Sequence, residues 1–422
     1  MKRILFRNFR IIDETADFRG DLAVEDGLIV EAASLGYQAV IDAGQFPRGA
    51  VLMPAFIDLH AHFRDPGYPQ KETLESGCLA AAAGGYGTAV CMANTNPPLD
   101  AAAGVLALKK RADALGLLDL YPAMALTRGM AGETLSEIAA ADLPAAIRLF
   151  SEDGKDVACD ALLLAAFKEA GRLGIPVSCH CDAGGAEAEQ AKRAGEPRSA
   201  WSRIEENRGI QRCIALGRSA GGHIHIAHVS TKESAAMIRK AKAERTPGFV
   251  LTCEATPHHL VFTEADADRL GPESAGRVNP PLRAEADRQA LIAAVLDGTA
   301  DAIATDHAPH TEADKSLGSP GFTGLETAFG LCLTELVRAD RLGLSRLSAL
   351  MSAAPARLLG LRDRGRIAPG LRADLVIADC GALWQVQPET FKSRGKNSPA
   401  SGLSLRGKVL MTIQQGRIVW EA

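Results

Sequence analysis

The sequence predicts an α/β protein: a parallel TIM (β/α)8 barrel carrying a small composite β-sandwich domain built from both termini. Three observations predict it. The two ends are rich in Val, Ile and turn residues, whereas the middle alternates apolar runs with stretches of Ala, Leu, Glu and Lys. The apolar runs of the middle number eight and occupy roughly 250 residues, the usual size of one such barrel. All ten histidines lie between His60 and His310, so the chemistry belongs to the middle of the chain and not to its ends.

At the N-terminal end, ILFRNFRII, DLAVEDGLIVEA and AVIDAG read as short strands broken by Gly and Asp-Gly turns. GRIAPGLRADLVIAD and KVLMTIQQGRIVWEA read the same way at the other end. Residues 1–52 and 362–422 are therefore assigned to the sheet domain and 53–361 to the barrel. The barrel strands are expected at 55–60, 88–93, 120–126, 146–150, 176–180, 223–229, 249–254 and 302–306. A doubly wound open sheet is the alternative, but no GxGxxG follows the first strand. Ala- and Glu-rich tracts such as AEAEQAKRAGE read as helix.

Bulk composition narrows the function. The 422 residues are 47% hydrophobic and 23% charged, with a formal net charge of -4 and mixed signs. That profile excludes a nucleic-acid footprint or a basic membrane-binding face. No run of about 18 apolar residues predicts a membrane-spanning helix. The first residues show no apolar core of a signal peptide. Nine scattered cysteines without a CxxC pair fit a reduced, cytoplasmic protein.

Barrel enzymes place reactive groups at the C-terminal strand ends. Those positions hold His60 and His62, Asn94, Asp153, His180, His228 and Asp306. Imidazole and carboxylate are the ligands of a catalytic zinc. Residues i and i+2 of a strand share a face, so His60 and His62 can grip one ion from one strand end. The plain alternative for a His-x-His pair is two surface histidines, and the chain contains a second such pair, His223 and His225. These lie at the start and middle of the sixth strand and are read as barrel packing. His258 and His259 are read as loop residues outside the ligand set. Six ligands exceed what one zinc needs, so two Zn2+ ions bridged by Asp153 use them better. Asp306 is the candidate catalytic group, a carboxylate able to take a proton from water and deliver it to a leaving nitrogen.

PAFIDLHAHFRDPG, KETLESG, MANTNPP, FSEDGK, HVSTKES, EATPHHL, RVNPPLR, ATDHAPH, GLETAF, GRIAPGLRADLVI and GKNSP follow in order along the chain. Together they resemble the amidohydrolase superfamily, and within it the class I dihydroorotases of bacteria, over nearly the whole length. The resemblance implies a zinc on His60, His62 and Asp306, a second on His180 and His228, and Asp153 between them. It implies substrate contacts from His62, Arg64, Asn94, Asn279 and His310 and from the backbone of Pro320 and Gly321. The implied reaction is the reversible hydrolysis of (S)-dihydroorotate to N-carbamoyl-L-aspartate in de novo pyrimidine synthesis. Hydantoinases and allantoinases bridge their metals with a carboxylated lysine on the fourth strand, where this chain reads AIRLFSEDG and Lys155 lies too far into the loop. They remain the rival reading, beside a non-catalytic partner of aspartate transcarbamoylase. The resemblance also allows a homodimer and a complex with that transcarbamoylase. The segment between His310 and Gly324 is a few residues shorter than the family pattern, MANTNP stands for MPNTxP, and HCDA for HCED.

Overall fold

The structure is a computed structural model that describes residues 3–31, 36–140, 142–182 and 184–422. Its middle is a ring of eight parallel strands: Phe56–Ala61, Tyr86–Cys91, Asp119–Pro122, Phe150–Ser151, Val177–Cys179, Gly222–Ile226, Phe249–Ala255 and Ala302–Ile303. The first three pair in order, and so do the last five. Single parallel bridges, Met124 to Phe150 and Ala61 to His307, join the two arcs and close the ring. Every expected strand is present. The third, fourth and eighth are shorter than their apolar runs, because beyond the ladder the chain keeps only isolated bonds such as Met124 N to Leu149 O.

The helices between strands follow from local chemistry. Thr73 caps Leu74–Ala83, its hydroxyl accepting from Ser76 N while Ser76 Oγ accepts from Thr73 N. Asp160–Leu173 buries Leu163, Ala166, Phe167 and Ala170, the i, i+3, i+4, i+7 stripe of a helix on a core. It stops at Gly174, whose φ of 67° is the left-handed conformation that glycine adopts without a Cβ clash.

Both termini join one eight-stranded sheet. Its order is Arg417–Glu421, Ser404–Gln414, Leu375–Gln385, Ala50–Pro54, Arg3–Ile12, Asp17–Glu25 and Leu28–Val30, with Ala39–Asp42 beside Arg3–Ile12. Ala50–Pro54 is the seam. It runs antiparallel to 375–379 and parallel to Arg10 and Ile11. Phe6, Phe9, Ile11, Leu52, Leu375, Ile377 and Ile413 form a core of their own under this sheet.

The sheet is fastened to the barrel by buried polar contacts. Thr412 Oγ1 donates to Ala82 O at 2.6 Å and Ala55 N to Asp374 O at 2.9 Å. Asp119 receives Arg364 Nη1 at 2.5 Å, Arg372 Nη1 at 3.0 Å and Lys109 Nζ at 3.0 Å. Burial would raise the Asp119 carboxyl, but the charges of Arg364 and Lys109 hold it down at about 2. All nine cysteines are unpaired. No helix among the described residues is long and apolar enough to cross a membrane.

Candidate metal centre

The first barrel strand sets the site. Its six residues are all buried. Asp58 accepts from Thr305 N at 2.9 Å and from Thr305 Oγ1 at 2.5 Å, which locks this strand end to the end of the eighth. Burial pushes the Asp58 carboxyl up to about 7 despite those bonds. His62 N donates to His307 O at 2.7 Å, so the register that carries His60 and His62 is tied to the segment that carries Asp306.

The six ligands named from the sequence meet at this rim. His60 Nε2 lies 3.3 Å from Asp153 Oδ1 and 3.6 Å from Asp306 Oδ1. His62 Nε2 lies 3.2 Å from Asp306 Oδ1 and 3.4 Å from Asp153 Oδ2. His180 Nδ1 is 2.8 Å from His228 Nε2 and 3.3 Å from Asp153 Oδ1, and His228 Nε2 is 3.6 Å from the same oxygen. Asp153 thus lies within 3.6 Å of all four imidazoles. All six side chains are buried.

The arrangement fits a cation. His60 Nε2 and Asp153 Oδ1 are buried without a hydrogen-bond partner, which is costly unless something else binds them. Two triplets, His60–Asp153–His228 and His60–His62–Asp306, each have their ligand atoms within 4.8 Å of one another. Burial pushes Asp153 and Asp306 towards the neutral acid, but the imidazoles override it and hold both far below the ordinary carboxylate range. Two desolvated carboxylates among four imidazoles form a donor set that a metal cation fits.

The backbone is bent to make this possible. Arg64, His228 and Asp306 have φ of 55°, 31° and 47°, three of the nine non-glycine residues in that region among the described residues. Such conformations cost about 1–3 kcal/mol each and cluster at functional sites.

The expected substrate residues line the same mouth. Asn94 Oδ1 accepts from His62 Nδ1 at 3.0 Å, and Asn94 Nδ2 donates to Asp153 O at 3.2 Å. Asn279 Nδ2 lies 3.2 Å from His180 Nε2. Arg64 Nε donates to Pro309 O, and its Nη2 lies 3.3 Å from His310 Nε2. Among the described residues no carboxylate oxygen lies within 4.0 Å of Arg64. Burial, with Arg64 and Lys71 nearby, depresses His310 to about 3, so its ring is neutral. His310 Nε2 sits 2.9 Å from Pro320 O. Gly321, at φ 139°, passes so close to Ala308 that a Cβ would stand 2.6 Å from the alanine's own.

Other expectations have equally definite outcomes. His223 and His225 lie inside the barrel, below the rim, and both bond Thr252 Oγ1 at 2.8 Å. His259 Nδ1 bonds Thr256 Oγ1, and its Nε2 bonds Pro280 O. His258 packs edge-on against Phe322. Lys155 Nζ donates to Met130 O at 2.9 Å, so it is no bridging group.

Several supporting residues escaped the sequence reading. Glu254, wholly buried, takes His60 Nδ1 at 3.0 Å and His225 Nε2 at 2.9 Å. Burial raises a carboxyl, yet these two rings hold Glu254 at about 2. Its position, between Cys253 and Ala255 in a strand, alternates with core residues, and that inward phase was the available signal. Lys315 Nζ donates to the carbonyls of Arg277, Ser319 and Gly321, pinning the 311–323 segment. Asn397 Nδ2 donates to Gly321 O at 2.9 Å, while its Oδ1 accepts from His310 N at 3.1 Å. Lys315 carries no recognisable sequence signal, and although Asn397 falls within GKNSP nothing there marks its partners, because each acts on backbone groups distant along the chain.

A closed parallel barrel with histidines and aspartates at its C-terminal rim defines a class. The sequence profile described as "Amidohydrolase family" matches residues 51–419, and the chain belongs to that family. It is similar to the dihydroorotase of Clostridium botulinum (strain Eklund 17B / Type B), 40% identical over 419 residues, 99% of each chain. It is similar to the dihydroorotase of Aquifex aeolicus (strain VF5), 36% identical over 433 residues and the full length of both. Among solved structures, L-hydantoinase (dihydropyrimidinase) from Arthrobacter aurescens superposes with a TM-score of 0.87 at 27% identity, over 100% of this chain and 96% of that one. Dihydropyrimidinase from Brevibacillus agri NCHU1002, with a TM-score of 0.85 at 22% identity over 99% and 95% of the two chains, shares the fold.

Proposed function

We propose that the chain is a dihydroorotase of the class I type, converting (S)-dihydroorotate and N-carbamoyl-L-aspartate into one another in de novo pyrimidine synthesis. His60, His62 and Asp306 would hold one zinc and His180 and His228 the other, with Asp153 between them. Bound there, the metals supply a Lewis acid for the ring carbonyl and lower the pKa of water. Asp306 takes the proton of the attacking water and delivers it to the departing ring nitrogen; in ring closure it returns the proton as water leaves. Asn94 holds His62 and Asp153 in place. Arg64 binds the substrate carboxylate, with Asn94, Asn279 and neutral His310 hydrogen-bonding the carboxylate and ring. His62 and the backbone of Pro320 and Gly321 complete the pocket. The catalytic barrel is taken as 53–361 and the supporting sheet as 1–52 with 362–422, the sheet strand Ala50–Pro54 running two residues past that boundary.

The observation that carries the choice of substrate is Arg64. It stands beside the metal cluster with its guanidinium unmatched by a protein carboxylate, and a planar fork of this kind pairs bidentately with a carboxylate. Hydantoin and allantoin have no such group to offer. The sequence relatives named dihydroorotase agree with this reading. The test is turnover of dihydroorotate, hydantoin and allantoin by the metal-loaded protein, with metal analysis of the same sample. Dihydroorotate is expected to be the substrate used, with zinc bound; absence of dihydroorotate turnover ends the proposal.

A further inference from the structure

The barrel contains a file of polar groups behind the metal centre, buried at Glu254 and His225 and half-buried at Thr252 and His223. It starts at His60 and descends the barrel: Glu254, His225, Thr252, His223. The links are His60 Nδ1 to Glu254 Oε1 at 3.0 Å, Glu254 Oε2 to His225 Nε2 at 2.9 Å, His225 Nδ1 to Thr252 Oγ1 at 2.8 Å, and Thr252 Oγ1 to His223 Nε2 at 2.8 Å. Glu254 Oε1 also accepts from His228 N at 3.4 Å. Glu254 and His225 are wholly buried.

Donor and acceptor roles along this file follow from bookkeeping. A carboxylate only accepts, so His60 must present Nδ1–H and His225 must present Nε2–H to it. His225 Nδ1 is then a bare lone pair, which Thr252 fills with its hydroxyl proton. The Thr252 oxygen is left to accept from His223 Nε2–H. This assignment satisfies every link. With its Nδ1–H held by Glu254, His60 turns Nε2 towards the cluster, where that atom is otherwise unpartnered.

We infer that Glu254 is a positioning residue for the metal centre: it fixes the tautomer and ring angle of His60 and braces the backbone of His228, and the His225–Thr252–His223 file holds Glu254 in turn. A bare buried carboxylate under an apolar barrel would be expensive, and the file is what makes it tolerable. Hydrogen bonds of this kind behind a ligating imidazole are worth about 10–100-fold in metal affinity. The inference rests on the assignment of His60 as a ligand.

The experiment measures zinc affinity by competition with a chromogenic chelator, and the visible spectrum of cobalt-loaded protein, for the parent, His60→Ala, Glu254→Gln, His225→Phe and Thr252→Val. Glu254→Gln keeps the shape but offers an amide with one acceptor for two N–H donors, so one ring must turn or change tautomer. Affinity is expected to fall about 10–100-fold in Glu254→Gln, less in His225→Phe and about two- to fivefold in Thr252→Val, with a shifted cobalt spectrum and kcat lowered more than KM is raised. A mere packing role would lower thermal stability without moving the spectrum. Parental affinity and spectrum in folded Glu254→Gln overturn the inference. If that variant does not fold, parental values in both His225→Phe and Thr252→Val overturn it equally. If instead His60→Ala binds metal as the parent does, the ligand assignment itself fails.

Discussion

The chain contains two His-x-His pairs of identical spacing, and they have opposite fates. His60 and His62 end the first strand, where both rings reach two aspartates. His223 and His225 sit lower in the sixth strand and turn to Thr252 and Glu254. The spacing is the same because the strand period of two is the same. What differs is depth: a ligand pair needs the rim, where loops bring in carboxylates, whereas a pair in the interior can only be satisfied by its neighbours on the next strand. A motif therefore reports chemistry only together with its height in the barrel.

The largest expected effect breaks the first pair. His60→Ala should lower dihydroorotate turnover by at least about a thousandfold and cost bound zinc, seen by steady-state kinetics and metal analysis, as loss of a group that stabilises transition-state charge does. Stripping the parent with a chelator should abolish turnover reversibly and lower the unfolding temperature, since zinc at a thousandfold excess over its Kd contributes about 4 kcal/mol. Unchanged activity in stripped protein would remove the distinction between the pairs.

Arg64→Gln sharpens it at the substrate side: KM for dihydroorotate should rise about 10–100-fold, the worth of a charged bidentate hydrogen bond, with zinc content unchanged. Away from both pairs, Asp119→Asn should leave KM and zinc alone and cost about 2 kcal/mol of stability, since buried Arg364 loses one carboxylate while keeping Asp363 and Asp374. The acid limb follows from the same group. Its folded pKa of about 2 lies below the unfolded value of 3.8, so the stabilisation is complete above about 4 and is lost as pH falls through 2, amounting to about 2 kcal/mol. A pH titration of unfolding, parent against variant, measures it. The smallest effect is expected from the second pair itself: His223→Gln should change turnover by no more than about twofold, since its bond to Thr252 is the last link of the file.

The rim was legible because each candidate ligand stands at or just after the end of an apolar run, and apolar runs mark barrel strands. His180 and His228 were readable for that reason alone, without any motif of their own. Glu254 was not, although it sits in an equally clear run: a lone acid among core residues reads as strand polarity until its partner, His60, is known to lie across the barrel. Lys315 and Asn397 were less legible still, since both grip backbone groups that any sequence would offer. The barrel's closure was implied by counting eight runs, but the two single bridges that complete it leave no trace in composition.

Ala50–Pro54 continues through Ala55 into the strand that bears His60 and His62, and its antiparallel neighbour comes from residues 375–379. During synthesis, then, the earliest-made part of the rim waits more than three hundred residues for the strand that flanks its root. Until residues 375–379 are made the root of that rim lacks this neighbour, and pairing across so long a separation is slow.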